Sequence, residues 1–142
     1  MPQKQIFIIE GETALASTLQ LAFKQIKSPH RLQVFTSGDS LLDFLSIGHL
    51  FPDLILLDYR ESNQGGIQVL SALKHHIDWK TIPVILWSSH LTPEQIHECY
   101  LLGANAFLEI SDKWDEMIVQ LEILCEYWFE VVQLPEKPLI RY

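Results

Sequence analysis

Two hydrophobic rhythms alternate along this chain. Short strand-like runs occupy 5–9, 32–35, 54–57, 83–87 and 106–108, and those at 54–57 and 83–87 are continuously apolar, the pattern of strands buried on both faces. Between them apolar residues recur at helical spacing. Leu15, Leu19, Ala22 and Ile26 predict a helix over 13–27, closed by Ser28-Pro29. Leu41, Leu42, Phe44 and Leu45 predict a second helix, capped by Ser37-Gly38-Asp39 and ended by Gly48. After a polar loop over 59–66, Val69, Leu70 and Leu73 mark a third. Thr92-Pro93-Glu94 opens a fourth, with Pro in the first turn, and Gly103 closes it. A long final helix is predicted over 111–132, with Leu134-Pro135 ending it. The order is βαβαβαβαβα. Right-handed crossovers of this length give an α/β fold: a doubly wound, five-stranded parallel sheet with helices on both faces, flavodoxin-like, strand order 2-1-3-4-5.

Composition narrows the class. The chain has 142 residues, 48% hydrophobic and 20% charged, enough for one domain with a real core. No apolar run reaches the length of a membrane span, and no secretory leader pattern precedes the first strand, so a cytoplasmic protein is expected. Ten basic against eighteen acidic residues give a net charge of −8, which argues against nucleic acid as a direct partner. Cys99 and Cys125 form no metal-binding spacing and read as reduced thiols.

A doubly wound sheet binds its ligands beyond the carboxyl ends of the strands, where strand order reverses. In this order that point lies between the first and third strands, which end at Glu10-Gly11-Glu12 and at Asp58. Carboxylates brought together raise one another's energy unless a cation or proton intervenes. Oxygen ligands of this kind suit Mg²⁺, and a carboxylate beside such an ion can act as a nucleophile and carry a phosphoryl group. Ser88, at the end of the fourth strand, places a hydroxyl next to it. A single acid at a strand end is usually a solvated loop residue; three acids and a hydroxyl on one crevice are seldom accidental.

Several segments, in order and spacing, resemble the receiver domain of two-component response regulators over residues 4–131. They are Pro52-Asp53-Leu54-Ile55-Leu56-Leu57-Asp58 with Gly66 eight residues on, Pro83-Val84-Ile85-Leu86-Trp87-Ser88-Ser89, and Gly103-Ala104-Asn105-Ala106-Phe107-Leu108. The segment Tyr127-Trp128-Phe129-Glu130-Val131-Val132-Gln133-Leu134-Pro135 is similar to the ending of short stand-alone receivers that partner bacterial phytochrome kinases, which leaves 132–142 as a tail. The resemblance implies that Asp58 is the phosphoacceptor. Mg²⁺ would be held by Asp58, by an acidic pair after the first strand and by the backbone carbonyl of Arg60. Ser88 would contact the phosphoryl oxygens, and Phe107 is the switch aromatic of the fifth strand. The implied partners are a sensor histidine kinase or phosphotransfer protein and a second copy of the chain. The domain is not expected to be an enzyme beyond slow self-phosphorylation and dephosphorylation at Asp58.

The site departs from the family pattern at important places. The acidic pair falls on Glu10 and Gly11, so a direct metal ligand is replaced by glycine; Glu12, one residue late, is the candidate substitute ligand, although its side chain is expected to point elsewhere. The lysine after the fifth strand falls on Ile110 and its following proline on Ser111, while Lys113 is three residues on. Ser62 stands where the turn proline belongs. Removing one donor to a developing charge typically costs ~10²–10³ in rate. These losses predict weak or absent Mg²⁺-dependent phosphorylation at Asp58, and they keep a second function class open: a degenerate receiver acting as a phosphorylation-independent interaction or dimerisation module. A metal-dependent phosphatase would need an acid at Arg60. A flavin or P-loop reading fails because Glu10 and Glu12 repel phosphate and Gly65-Gly66 lacks the P-loop spacing.

The final helix carries two apolar stripes. Trp114, Ile118, Leu121, Cys125 and Trp128 suit the core; Val119, Ile123 and Tyr127, with Trp128 and Phe129, are expected at an interface. The alternative is a tail that folds back over the second stripe. The adjacent His75 and His76 point apart on their helix and cannot chelate one ion.

Overall fold

In a computed structural model, residues 3–60 and 65–137 are described. Five strands, β1 (Gln5–Ile9), β2 (Arg31–Phe35), β3 (Leu54–Asp58), β4 (Val84–Ser88) and β5 (Ala106–Glu109), form one parallel sheet in the order β2-β1-β3-β4-β5. The crossovers contain α1 (Thr13–Gln25), α2 (Gly38–Ile47), α3 (Gly65–His75) and α4 (Pro93–Leu101), and α5 (Trp114–Glu126) follows β5. This is the expected flavodoxin-like arrangement.

Strand alternation divides the core into two layers. Phe7, Ile9, Ile55, Leu57, Val84 and Leu86 pack against α2, α3 and α4. Their neighbours Ile6, Ile8, Leu54, Leu56, Ile85 and Trp87 pack against α1 and α5. The three central strands are therefore apolar on both faces, as their continuous runs require. Full burial of each aliphatic side chain contributes about 1.5–3 kcal/mol. Helix starts follow local chemistry. Ser37 Oγ accepts the Ser40 N–H at the head of α2. Thr92 and Gln95 form a reciprocal capping box on α4. Gly48 and Gly103 close α2 and α4 at positive φ.

The end of the chain corrects one expectation. The α-helical hydrogen bonding stops at Glu126, and Tyr127–Val131 is a π-helical turn closed by Val132 N–H donating to Tyr127 O at 2.8 Å. The wider turn shifts the phase of the residues that follow. Phe129, expected at an interface, is buried, its ring tilted against the His30 ring with centroids 4.5 Å apart. Trp128 is half-buried against the α1–α5 layer. The buried face of α5 is Met117, Leu121 and Leu124, while Trp114, expected in the core, is exposed. Val119, Ile123 and Tyr127 do remain exposed, joined by Val131. The described tail leaves this stripe uncovered: Leu134 packs on the α1–α5 layer and Lys137 Nζ reaches Asp53 Oδ2 at 3.2 Å.

Candidate functional site

The carboxyl ends of β1, β3 and β4 border a cleft of about 550 Å³ beneath the β5–α5 loop. Glu10, Asp58 and Ser88 line it. Glu10 directly follows β1, anchored by its N–H to Phe35 O at 2.9 Å, and it is only 2% exposed. Its Oε1 accepts the Glu12 N–H at 2.9 Å, while Oε2 has no partner among the described residues. Burial pushes its carboxyl up to about 8, and the neighbouring Asp58 adds to the rise; the Glu12 N–H opposes it. Asp58 ends β3. Its Oδ1 accepts the Arg60 N–H at 2.9 Å, which turns the chain sharply after the strand. Gly66 makes this turn possible: a Cβ there would lie 2.5 Å from Asp58 O and 2.7 Å from Tyr59 Cα. Gly66 instead donates its N–H to Tyr59 O at 2.8 Å.

The other predicted residues sort by position. Ser88 is 2% exposed and its Oγ has no partner among the described residues. Gly11 and Glu12 line the rim, and both are exposed. Arg60 lines the cleft too, but its guanidinium donates to His90 O at 3.0 Å. Phe107 is half-buried against the α2–α4 layer, and its N–H donates to Tyr100 Oη at 3.0 Å. Ser62 lies outside the described residues.

At the position of the family lysine, Ile110 is buried with Trp87 and Met117. Lys113 is exposed at the head of α5 and does not line the cleft. The loop between is held by its own polar contacts. The Ser111 hydroxyl donates to Glu116 Oε2, the Ser111 N–H to Gln120 Oε1, and Gln120 Nε2 to Glu109 O. Trp87 was not singled out from the sequence, yet it lines the cleft, and its buried Nε1 has no partner among the described residues.

The donor set bears on a divalent cation. Among the described residues no three His, Cys, Asp or Glu side chains are grouped tightly enough to hold a metal by themselves. Two carboxylates do meet, one with an unpartnered buried oxygen. Mg²⁺ commonly takes one or two carboxylates and completes its shell with water and phosphate oxygens, so Glu10, Asp58 and the Arg60 carbonyl fit it as a sparse ligand set.

Comparison with known proteins agrees with this geometry. The family model for the response regulator receiver domain matches residues 6–121. The response regulator Rcp1 of Synechocystis sp. (strain ATCC 27184 / PCC 6803 / Kazusa) is 27% identical over 139 residues, covering 94% of this chain and 95% of Rcp1. The crystal structure of the phosphorylated cyanobacterial phytochrome response regulator RcpA superposes with a TM-score of 0.87 at 26% identity, over 95% of this chain and all of RcpA. The Mn²⁺-bound form of Rcp1 superposes with a TM-score of 0.83 at 26% identity, over 94% of this chain and 99% of that structure.

Proposed function

Because this chain belongs to the response regulator receiver family of two-component signalling, we propose that it accepts a phosphoryl group on Asp58 from a sensor histidine kinase or phosphotransfer protein. The observation that carries the reading is the meeting of Asp58 with the buried Glu10 carboxyl in the cleft at the strand-order reversal. Residues 4–131 are the receiver and 132–142 a tail. Receiver domains are generally not enzymes, and the chemistry assigned here is limited to slow transfer to and from Asp58. A cytoplasmic setting follows from a kinase partner, and no helix among the described residues is long and apolar enough to cross a membrane.

Each residue has a part in the transfer. The Arg60 N–H fixes the Asp58 carboxylate by one oxygen. An Asp58 oxygen attacks phosphorus as the bond to the leaving group breaks, and the leaving group departs with the electron pair. The buried Ser88 hydroxyl is a donor for a phosphoryl oxygen. Glu10, Asp58 and the Arg60 carbonyl would hold Mg²⁺, which supplies neutralising charge to the phosphoryl oxygens. Phe107 couples the site to the exposed stripe of Val119, Ile123, Tyr127 and Val131. That stripe is the interface for a second copy or for the kinase, and Trp128 borders it.

Incubation with a small phosphodonor and Mg²⁺, followed by intact mass, tests the reading. Slow addition of one phosphoryl group, abolished in Asp58→Asn, supports it. No addition with donor and Mg²⁺ in large excess would instead favour an interaction module that works without phosphorylation.

A further inference from the structure

In the family pattern a lysine ammonium contacts the phosphoryl group from the position of Ile110, whose side chain here is packed in the core beside Trp87 and Met117. No ammonium substitutes for it among the described residues that line the cleft, and the Arg60 guanidinium is engaged with His90 O. The sheet supplies a different donor. In the parallel register Asp58 of β3 is paired with Trp87 of β4. Leu56 and Ile85, two residues before each, both pack into the α1–α5 layer, so alternation puts the Asp58 and Trp87 side chains on that same face. Trp87 is 3% exposed, and its Nε1–H has no acceptor among the described residues. An indole N–H can only donate, and leaving it unpaired in the interior is costly.

Resting on the reading of Asp58 as phosphoacceptor, we infer that the Trp87 indole N–H is a phosphoryl-contacting donor of this chain, taking over a role that Ile110 has no group to fill. With acetyl phosphate as donor, an Asp58 oxygen forms the new bond to phosphorus. The bond from phosphorus to the acetyl oxygen breaks, and acetate leaves with the electron pair. Trp87 keeps its proton throughout and donates to a non-bridging oxygen of the acyl phosphate. A neutral donor stabilises that oxygen less than an ammonium would, so transfer is slow but supported.

The test uses the full chain labelled with ¹⁵N. Its four tryptophans give four indole N–H resonances, and Trp87→Phe identifies the one that matters. Mg²⁺ and beryllofluoride, a tetrahedral phosphoryl mimic, are titrated in. The Trp87 indole resonance is expected to move downfield and exchange more slowly, together with the backbone amides of Tyr59 and Arg60, while that of exposed Trp114 stays in place. Trp87→Phe is expected to bind the mimic about 5–100-fold more weakly. In an Ile110→Lys background the same substitution should cost much less, because the ammonium supplies the missing donor. Movement of the Tyr59 and Arg60 amides with a fixed Trp87 indole overturns the inference and leaves the Asp58 reading intact. An equal cost of Trp87→Phe in both backgrounds overturns it too, since that is the signature of packing alone. If no resonance responds, the Asp58 reading has failed and this inference with it. Should Trp87→Phe fold poorly, substituting the other three tryptophans assigns the wild-type indole, which then decides.

Discussion

Replacing Glu10 by glutamine removes one of two facing carboxyls and keeps its shape, including the oxygen that accepts the Glu12 N–H. In the wild-type chain the Glu10 carboxyl titrates at about 8 instead of 4.5. Below 4.5 it is protonated in folded and unfolded chains alike, and pH has no leverage through it. Between 4.5 and about 8 the folded chain retains a proton that the unfolded chain gives up, so stability falls by about 1.4 kcal/mol per pH unit. Above that window both states are ionised and the loss is complete, roughly 5 kcal/mol over the whole interval. This is a large share of the ~5–15 kcal/mol that holds a typical domain folded. Glutamine has no such titration, and its amide adds no charge beside Asp58. Glu10→Gln is therefore expected to outlast wild type by several kcal/mol at pH ~8.5 and to lose that advantage as pH falls toward 4.5. Urea unfolding of both proteins across this range, with divalent ions chelated, measures it. Taking the difference cancels His30, whose pKa is lowered by burial and which destabilises the fold as pH drops below its ordinary 6.5. Parallel curves for the two proteins, or a variant less stable than wild type at pH ~8.5, would refute the raised titration of the buried Glu10 carboxyl.

Three further outcomes follow from the same geometry. Mg²⁺ binding favours the ionised pair and must expel the Glu10 proton, so affinity measured by calorimetry should rise up to about tenfold per pH unit and level off near 8, with Gly11→Asp raising it throughout. Gly66→Ala places a Cβ against the backbone of Asp58 and Tyr59, which cannot yield as a side-chain end does; a loss of about 1–3 kcal/mol in urea unfolding is expected, with slower phosphorylation. Phe129→Ala should cost about 3–5 kcal/mol of stability, whereas Ile123→Glu should leave stability within about 0.5 kcal/mol and weaken association seen by light scattering or kinase pull-down.

The sheet was readable from sequence because strands buried on both faces leave continuous apolar runs, and the ends of those runs placed Glu10, Asp58 and Ser88 on one cleft. Gly66 was readable only as spacing; its reason is the approach of α3 to the Asp58 carbonyl. The final helix misled where its period was carried past Glu126. A hydrogen bond from Val132 to Tyr127 widens the turn, rotates Phe129 inward and leaves Tyr127 outside. Trp87 went unremarked because it sits inside an apolar run and reads as core. Its significance depends on the pairing of β3 with β4, and sequence alone does not pair strands.

The two main departures from the family pattern are electrostatically linked. Gly11 in place of an acid takes one negative charge from the crevice, and Ile110 in place of a lysine takes one positive charge, so the net charge of the cluster is unchanged. Losing the lysine alone would leave three carboxylates with no cation near, each raising the others. Losing the acid alone would leave an ammonium beside Glu10 and Asp58, which would hold both carboxylates ionised and the site charged. Together they leave two carboxyls, of which Glu10 keeps its proton through burial, with the neighbouring Asp58 adding to the rise. The burial of Ile110 in the apolar layer that also holds Trp87 and Met117 then contributes packing where the family pattern has a charge. On this account the crevice is a rebalanced one. It is stable with its proton and able to exchange that proton for Mg²⁺ as pH rises. If so, Ile110→Lys alone should pull the Glu10 carboxyl back toward 4.5 by placing an ammonium beside it. The pH slope that distinguishes wild type from Glu10→Gln should then flatten in that background. A slope unchanged by the added lysine would mean that burial alone sets the Glu10 pKa and that the two departures are independent.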